Sequence, residues 1–251
     1  MVLKRVVVTG LGAITPIGNT APEFWQNLVA GKSGAAPITL FDVTEFKTQF
    51  ACEVKNFDPE QYFDRKEARK MDRFTQFGMV VADEAIADSR IIEANLSPDR
   101  VGVIWGSGIG GLDTFFQQTK AFVDAGNKPR FSPFFIPMMI ADITPGQISM
   151  KHGFRGPNFT TVSACASATN ALIDAMTYIQ LGKACVRVSG GSAAAVTPVD
   201  ASPNWWGSAS GPYSDPSFTC GVGDAVVGNV TFLPFCTATD CSSSGSGDAL
   251  L

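Results

Sequence analysis

The sequence predicts an α/β fold, a parallel or mixed β-sheet sandwiched by helices. Three observations carry that expectation. Short β-branched runs alternate along the chain with stretches of helical spacing, the order expected of strands connected through helices. The runs Val6-Val7-Val8-Thr9 and Val101-Gly102-Val103-Ile104-Trp105 are continuously apolar rather than alternating, as strands covered on both faces are. Glycine-rich turns follow such runs at Gly10-Leu11-Gly12, at Gly106-Ser107-Gly108-Ile109-Gly110-Gly111 and at Gly190-Gly191.

Taken in order, residues 5–10 read as a buried strand entering a tight turn. A dinucleotide fingerprint requires a third glycine three residues after Gly12. Thr15 followed by Pro16 stands there, so the turn reads as structural. Asn19 or Thr20 caps a helix that carries Pro22 and Glu23 in its first turn and runs to Gly31. Residues 38–57 read as irregular structure with short strands. Asp58 or Asp64 opens a helical stretch, and from Lys66 through Ala87 the residues Met71, Phe74, Phe77, Gly78, Val81 and Ala85 follow helical spacing. Residues 101–106 are a second buried strand and 106–111 a flexible loop, followed by a helix over 112–125. Residues 132–140, apolar and bounded by Pro133 and Pro137, read as a loop that packs against a partner subunit or an acyl-type ligand. A short helix spans 141–152 and closes at Gly153. A strand spans 159–163, a helix 166–181 with Gly182 just past its end, and a further strand 186–191. Beyond Ala195 the chain turns rich in Ser, Gly, Pro, Asp and Cys. One more strand is expected within 221–233, and residues 241–247 read as a disordered tail. The expected organisation is one domain over 1–196 and an atypical, partly disordered tail over 197–251.

Bulk properties narrow the function classes. The chain has 251 residues, 45% hydrophobic and 17% charged, enough for a sizeable core. A net charge of −4 leaves no electrostatic footprint for nucleic acid, although Arg65, Lys66, Arg69, Lys70 and Arg73 form a local cationic face. That face reads as a solvated helix surface or as a dock for an acidic partner. The six cysteines form no CxxC pair and His152 is the only histidine, so neither a zinc site nor another metal site is expected. No apolar run reaches membrane-spanning length, and the N-terminus lacks the order of a signal peptide. The chain therefore reads as a protein of a reducing compartment, most simply cytoplasmic.

The most informative segment is Thr160-Thr161-Val162-Ser163-Ala164-Cys165-Ala166-Ser167-Ala168-Thr169-Asn170. A β-branched run gives way to tiny residues and then to a helical pattern, which puts the Cys165 thiol on a strand-to-helix turn. Orphan backbone N–H groups and the helix dipole stabilise an anion there, and the thiolate is the reactive form of cysteine. The small neighbours leave room for a carbonyl group to approach. Two readings stand side by side on these residues: a buried small hydrophobe, and a nucleophile for acyl transfer.

In order along the chain, Val6-Val7-Val8-Thr9-Gly10-Leu11-Gly12, Arg65-Lys66-Glu67-Ala68-Arg69-Lys70-Met71-Asp72, the glycine loop at 106–111, Ser132-Pro133-Phe134-Phe135-Ile136-Pro137, Gly153-Phe154-Arg155-Gly156-Pro157-Asn158 and the Cys165 segment resemble the N-terminal half of the type II β-ketoacyl-acyl-carrier-protein synthases. These are condensing enzymes of the thiolase-like fold, and the resemblance covers about residues 1–196. It implies that Cys165 accepts an acyl group from acyl carrier protein as a thioester. Malonyl-carrier protein then loses carbon dioxide, and its carbanion attacks that thioester to extend the chain by two carbons. It further implies that the Cys165 N–H forms half of an oxyanion hole, that Ile109, Phe135 and Ile136 line the acyl pocket, the last two across a homodimer interface, and that the cationic face near Arg65–Arg73 contributes to carrier-protein docking. Acyl carrier protein is the implied partner. Its phosphopantetheine brings the substrate, so no organic cofactor is expected.

The family also uses two histidines and a lysine from its C-terminal half, and no residue of this sequence matches them. His152 precedes Gly153-Phe154-Arg155-Gly156-Pro157, where the family places no catalytic histidine, and it reads instead as a helix C-terminal residue. Cys185, Arg187, Ala193 (where the family has an acidic residue) and Trp205-Trp206 depart from the pattern. The chain thus reads as an incomplete form of the enzyme. The alternatives are a non-catalytic, chain-length-factor-like partner of a full-length synthase, which the presence of Cys165 argues against, or a non-functional truncated product.

Overall fold

The computed structural model describes residues 5–184 and the backbone of 186–191, 235–236 and 244–245. Helix α1, Ala21–Val29, begins where Thr20 accepts a hydrogen bond from the Glu23 N–H at 3.3 Å, and the Glu23 carboxylate turns back to accept the Asn19 N–H at 2.7 Å. Two short strands, β1 (Ala36–Pro37) and β2 (Phe50–Ala51), pair antiparallel; β2 lies within the irregular region expected at 38–57, and β1 just ahead of it. A 3-10 turn at Pro59–Gln61 leads to α2, Arg65–Ala68, capped by Asp64.

Helix α3, Arg73–Ser89, starts at Asp72 rather than continuing unbroken from Lys66. Asp64 and Asp72 each cap a separate start, because a carboxylate that accepts the next free N–H groups ends one helix register and begins another. The buried residues of α3 are Thr75, Gly78, Met79, Val80, Ala82 and Ile86, so the expected stripe through Phe74, Phe77, Val81 and Ala85 is the half-buried flank of the true core face. Strand β3, Val101–Gly106, is buried at every residue. Helix α4 spans Leu112–Asp124. Residues 132–140, expected as a loop, contain helix α5, Phe135–Met139. Pro137 fits there because it occupies the first turn, where an N–H has no intrahelical partner. Helix α6, Ile143–His152, ends at Gly153 in the left-handed conformation (φ 72°). Strand β4, Asn158–Thr161, a 3-10 turn at Ala164–Ala166, helix α7, Ser167–Gln180, and strand β5, Val186–Gly191, complete the main body. Strands β6 (Phe235–Cys236) and β7 (Ser244–Gly245) pair antiparallel, so two residues of the stretch expected to be disordered stand in a ladder. The strand expected within 221–233 lies outside the described residues.

The central sheet has the order β4-β3-β5, all parallel. On β3, Val101, Val103 and Trp105 join the core formed with Met79, Ala82 and Ile86 of α3, Ile148 of α6 and Phe154. Ile104 points to the other face, against Ala171 and Ala175 of α7. The period-two alternation of a strand thereby divides one apolar run between two helical layers, which is the expected sandwich.

The N-terminal run departs from expectation. Residues 5–10 form no strand; Val6 and Thr9 make isolated bridges only, and the segment is half-buried. Farther along, its backbone donors go to carboxylates of α3 instead of a ladder: the Leu11 N–H to Asp88 at 2.9 Å and the Ala13 N–H to Glu84 at 2.8 Å.

Candidate functional site

Cys165 is the middle residue of the 3-10 turn between β4 and α7, and its side chain is exposed. Of the two readings, the buried small hydrophobe does not hold. A parallel strand delivers its C-terminal end, and an α-helix its N-terminal end, to the same edge of the sheet, so the thiol sits where open α/β sheets bind ligands. The turn is strained: Ala164 has φ 49°, in the left-handed region that alanine seldom occupies.

A dense set of hydrogen bonds holds that turn. The Ser167 hydroxyl accepts from the Ser163 N–H at 2.9 Å and donates to the Ala164 carbonyl at 2.8 Å. The Thr161 hydroxyl donates to the Ser167 carbonyl at 2.8 Å, and the Asn170 amide donates to the Ser163 hydroxyl at 2.6 Å. Gly106, at the end of β3, allows α7 to start this close to the sheet: a Cβ there would lie 2.5 Å from the Ala168 nitrogen.

The glycine loop 106–111 runs between the nucleophile turn and α5. A Cβ on Gly108 would meet the Ala164 carbonyl at 3.7 Å, whereas Cβ atoms on Gly110 and Gly111 would clash with the Met139 and Met138 carbonyls at 2.4 and 2.2 Å. The Gly111 N–H donates to the Met139 carbonyl at 2.9 Å. Ile109 is therefore strung between the Cys165 turn and the end of α5, and it is 71% exposed. Phe135 lies elsewhere, in an aromatic row with Phe131 at 5.5 Å and Phe115 at 6.5 Å, while Ile136 on the same helix is exposed. Within this one chain the structure joins Cys165 with the Ile109 loop. Phe135 and Ile136 form part of the α4–α5 surface.

Asp72, 7% exposed, is a tie that sequence reasoning missed. It caps α3 through the Phe74 N–H at 3.2 Å. Its other oxygen accepts from the Thr114 N–H at 3.0 Å and the Thr114 hydroxyl at 2.5 Å, capping the first turn of α4 as well. One carboxylate thus fixes the far end of the glycine loop. The Asp-Arg helix start is a visible cap signal, but its pairing with Thr114 is not, since 42 residues separate them. Ser167 and Asn170 were also missed. Their spacing from Ser163, four and seven residues, is the only local hint.

His152 stands at the opposite end of the sheet, at the last residue of α6 and ahead of the start of β4. Its Nε2 lies 2.9 Å from the Asp83 carboxylate, which Lys151 also meets at 2.5 Å, and its ring stacks on Phe154 at 5.5 Å. The cationic face is partly engaged. Arg73 lies over Phe77 at 4.9 Å and donates to the Val54 carbonyl at 3.3 Å, Arg65 meets Glu60 at 3.6 Å, and Lys70 sits 5.7 Å over the Phe134 ring. Among the described residues no cluster of three His, Cys, Asp or Glu side chains can hold a metal ion, and no helix is long and apolar enough to cross a membrane.

The chain is 47% identical over 196 residues to a 3-oxoacyl-[acyl-carrier-protein] synthase 2 of Synechocystis sp., a match covering 78% of this chain and 47% of that protein. It is 45% identical over 194 residues to the synthase of the same name from Staphylococcus aureus strain N315, covering 77% and 47%. The chain spans about half the length of the curated relatives it matches. Among solved structures it resembles the ishigamide ketosynthase/chain length factor (TM-score 0.71, 27% identity, 77% of this chain and 48% of that one). It also resembles a type II PKS acyl-carrier protein complex with its ketosynthase (TM-score 0.63, 26% identity, 77% and 52%). The α/β sandwich seen here is accordingly the N-terminal portion of the thiolase-like fold. Residues 3–202 match the family described as Beta-ketoacyl synthase, N-terminal domain, and the chain belongs to that family.

Proposed function

We propose that this chain carries the acyl-accepting part of a β-ketoacyl-acyl-carrier-protein synthase, with Cys165 as nucleophile. The observation that supports this most is the exposed thiol on a strained, hydrogen-bonded turn at the sheet edge, with the Ile109 loop beside it. The Cys165 sulfur attacks the thioester carbonyl of acyl-carrier protein. A new carbon–sulfur bond forms, the phosphopantetheine sulfur leaves and takes up the proton, and the acyl group rests on Cys165. The oxyanion of the intermediate is met by the Cys165 N–H. In the second half-reaction malonyl-carrier protein loses carbon dioxide, and its carbanion attacks the Cys165 thioester, expelling the thiolate. The product is a β-ketoacyl chain two carbons longer, the elongation step of fatty-acid synthesis.

Ile109 contacts the bound acyl chain next to the sulfur, and Phe135 and Ile136 line the acyl pocket from a second copy in a homodimer. Acyl carrier protein is the partner, docking in part on the cationic residues at 65–73, and the reaction belongs to the cytoplasm. The 251 residues hold a single histidine, placed at the wrong end of the sheet, so the decarboxylating histidines are drawn from the half of the relatives that this chain does not match. The chain by itself therefore accepts acyl groups but does not condense them. Incubation with acyl-carrier protein followed by intact mass and peptide mapping tests this: one acyl adduct on Cys165 is expected. Acylation that persists in Cys165→Ala sinks the assignment. Malonyl-dependent elongation by the chain alone would overturn the division of labour.

A further inference from the structure

Ser167 has a role that its place in a helix does not require. It opens α7 two residues after Cys165, its side chain is 4% exposed, and its hydroxyl is bonded on both sides of Ala164. The acceptor of its proton is the Ala164 carbonyl, at 2.8 Å. That carbonyl and the Cys165 N–H belong to one peptide group, and in a trans peptide the two point in opposite directions. The Ser167 backbone N–H and its buried hydroxyl together draw that carbonyl inward, which turns the Cys165 N–H outward. On the other side of Ala164 the Ser163 carbonyl accepts the Ala166 N–H at 3.0 Å, and the Ser163 N–H, donating to the Ser167 hydroxyl at 2.9 Å, ties the residue before, so Ala164 is held at φ 49°. Alanine has no side-chain group of its own to stabilise the left-handed conformation, so the clamp must come from elsewhere.

We propose that Ser167 is a positioning residue whose buried hydroxyl orients the Ala164–Cys165 peptide, so that the Cys165 N–H meets the oxyanion formed as Cys165 is acylated. This rests on the reading of Cys165 as the acyl acceptor. Preorganised donors act where charge develops, and removing their support slows only steps that develop that charge.

The test compares two reactions at one sulfur in the full 251-residue chain. Transfer from a short acyl thioester passes through an oxyanion, whereas alkylation by iodoacetamide is a displacement at carbon that forms none. Ser167→Ala is expected to slow acylation of Cys165 by roughly 10- to 100-fold and to change its alkylation by no more than about 3-fold. Equal losses in both reactions, or no loss in either, overturn the proposal. If Ser167→Ala does not fold, the unsubstituted chain still decides: the Ser163 amide should exchange slowly with solvent hydrogen, and fast exchange there overturns the clamp. Failure of the acyl-acceptor reading looks different, because the unsubstituted chain would then show no acyl group on Cys165.

Discussion

At the scale of single residues, the Cys165 turn combines a reactive group with a backbone that is expensive to hold. Ala164 in the left-handed region costs about 1–2 kcal/mol, and four side-chain hydrogen bonds from Thr161, Ser167 (two) and Asn170 offset it. Gly106 is equally constrained. Gly106→Ala drives a methyl group into the backbone at Ser167 and Ala168, and the expected loss is about 2–3 kcal/mol in a denaturant melt, with acylation slowed because the turn shifts. His152→Ala should leave the Cys165 acylation rate within about 2-fold, since its partners are Asp83 and Phe154 at the far end of the sheet. A large fall in that rate would show that the ends are coupled. The turn was legible in the sequence because β-branched, tiny and helical residues follow one another there. The hydroxyl of Ser167 was not, because whether a serine faces solvent or closes a turn depends on the backbone it sits in.

At the scale of elements, contacts between distant segments decide the arrangement. Residues 101–106 form the buried central strand between β4 and β5, whereas among the described residues the similar run at 5–10 makes isolated bridges only, so an apolar pattern alone does not make a strand. Helix α5 was hidden by Pro133 ahead of it and Pro137 within it, although Pro137 falls in the one turn that tolerates it. Asp72 shows the same non-locality. Asp72→Ala removes the caps of α3 and α4 together and leaves the buried Thr114 hydroxyl without its acceptor, with an expected cost of about 2–4 kcal/mol by equilibrium unfolding. Asp72→Asn should recover part of that. On the β1–β2 segment, the Thr39 hydroxyl donates to Glu53 at 2.7 Å and holds that carboxyl below its ordinary value against desolvation, the Thr39 and Leu40 amides and Arg73 adding smaller effects in the lowering direction. The folded value lies below the unfolded one, so this contact stabilises above the unfolded value and is lost as pH falls through the folded one. Thr39→Val should return the Glu53 titration, followed by NMR, toward its ordinary range.

At the scale of the whole molecule, the described body is a sheet with helices on both faces that still leaves apolar groups uncovered. Val162, Ile173, Met176 and Leu181 around α7, and Phe115, Phe116 and Ile136 on α4 and α5, are all exposed. Such surfaces are unusual on a protein that acts alone, and the matched relatives are about twice as long as the segment they share with this chain. The fold class and most of the helices and strands, though not α5 or the fate of residues 5–10, could be read from sequence because those helices and strands carry their own periodicity. What covers these faces could not, since it depends on surfaces that no local pattern encodes.

The most direct measurement is mass spectrometry of the 251-residue chain after brief exposure to acyl-carrier protein, with each cysteine mapped. A single acyl group confined to Cys165 is the predicted result. No adduct, or label spread over Cys165, the exposed Cys52 and the remaining cysteines alike, would contradict a formed nucleophile site.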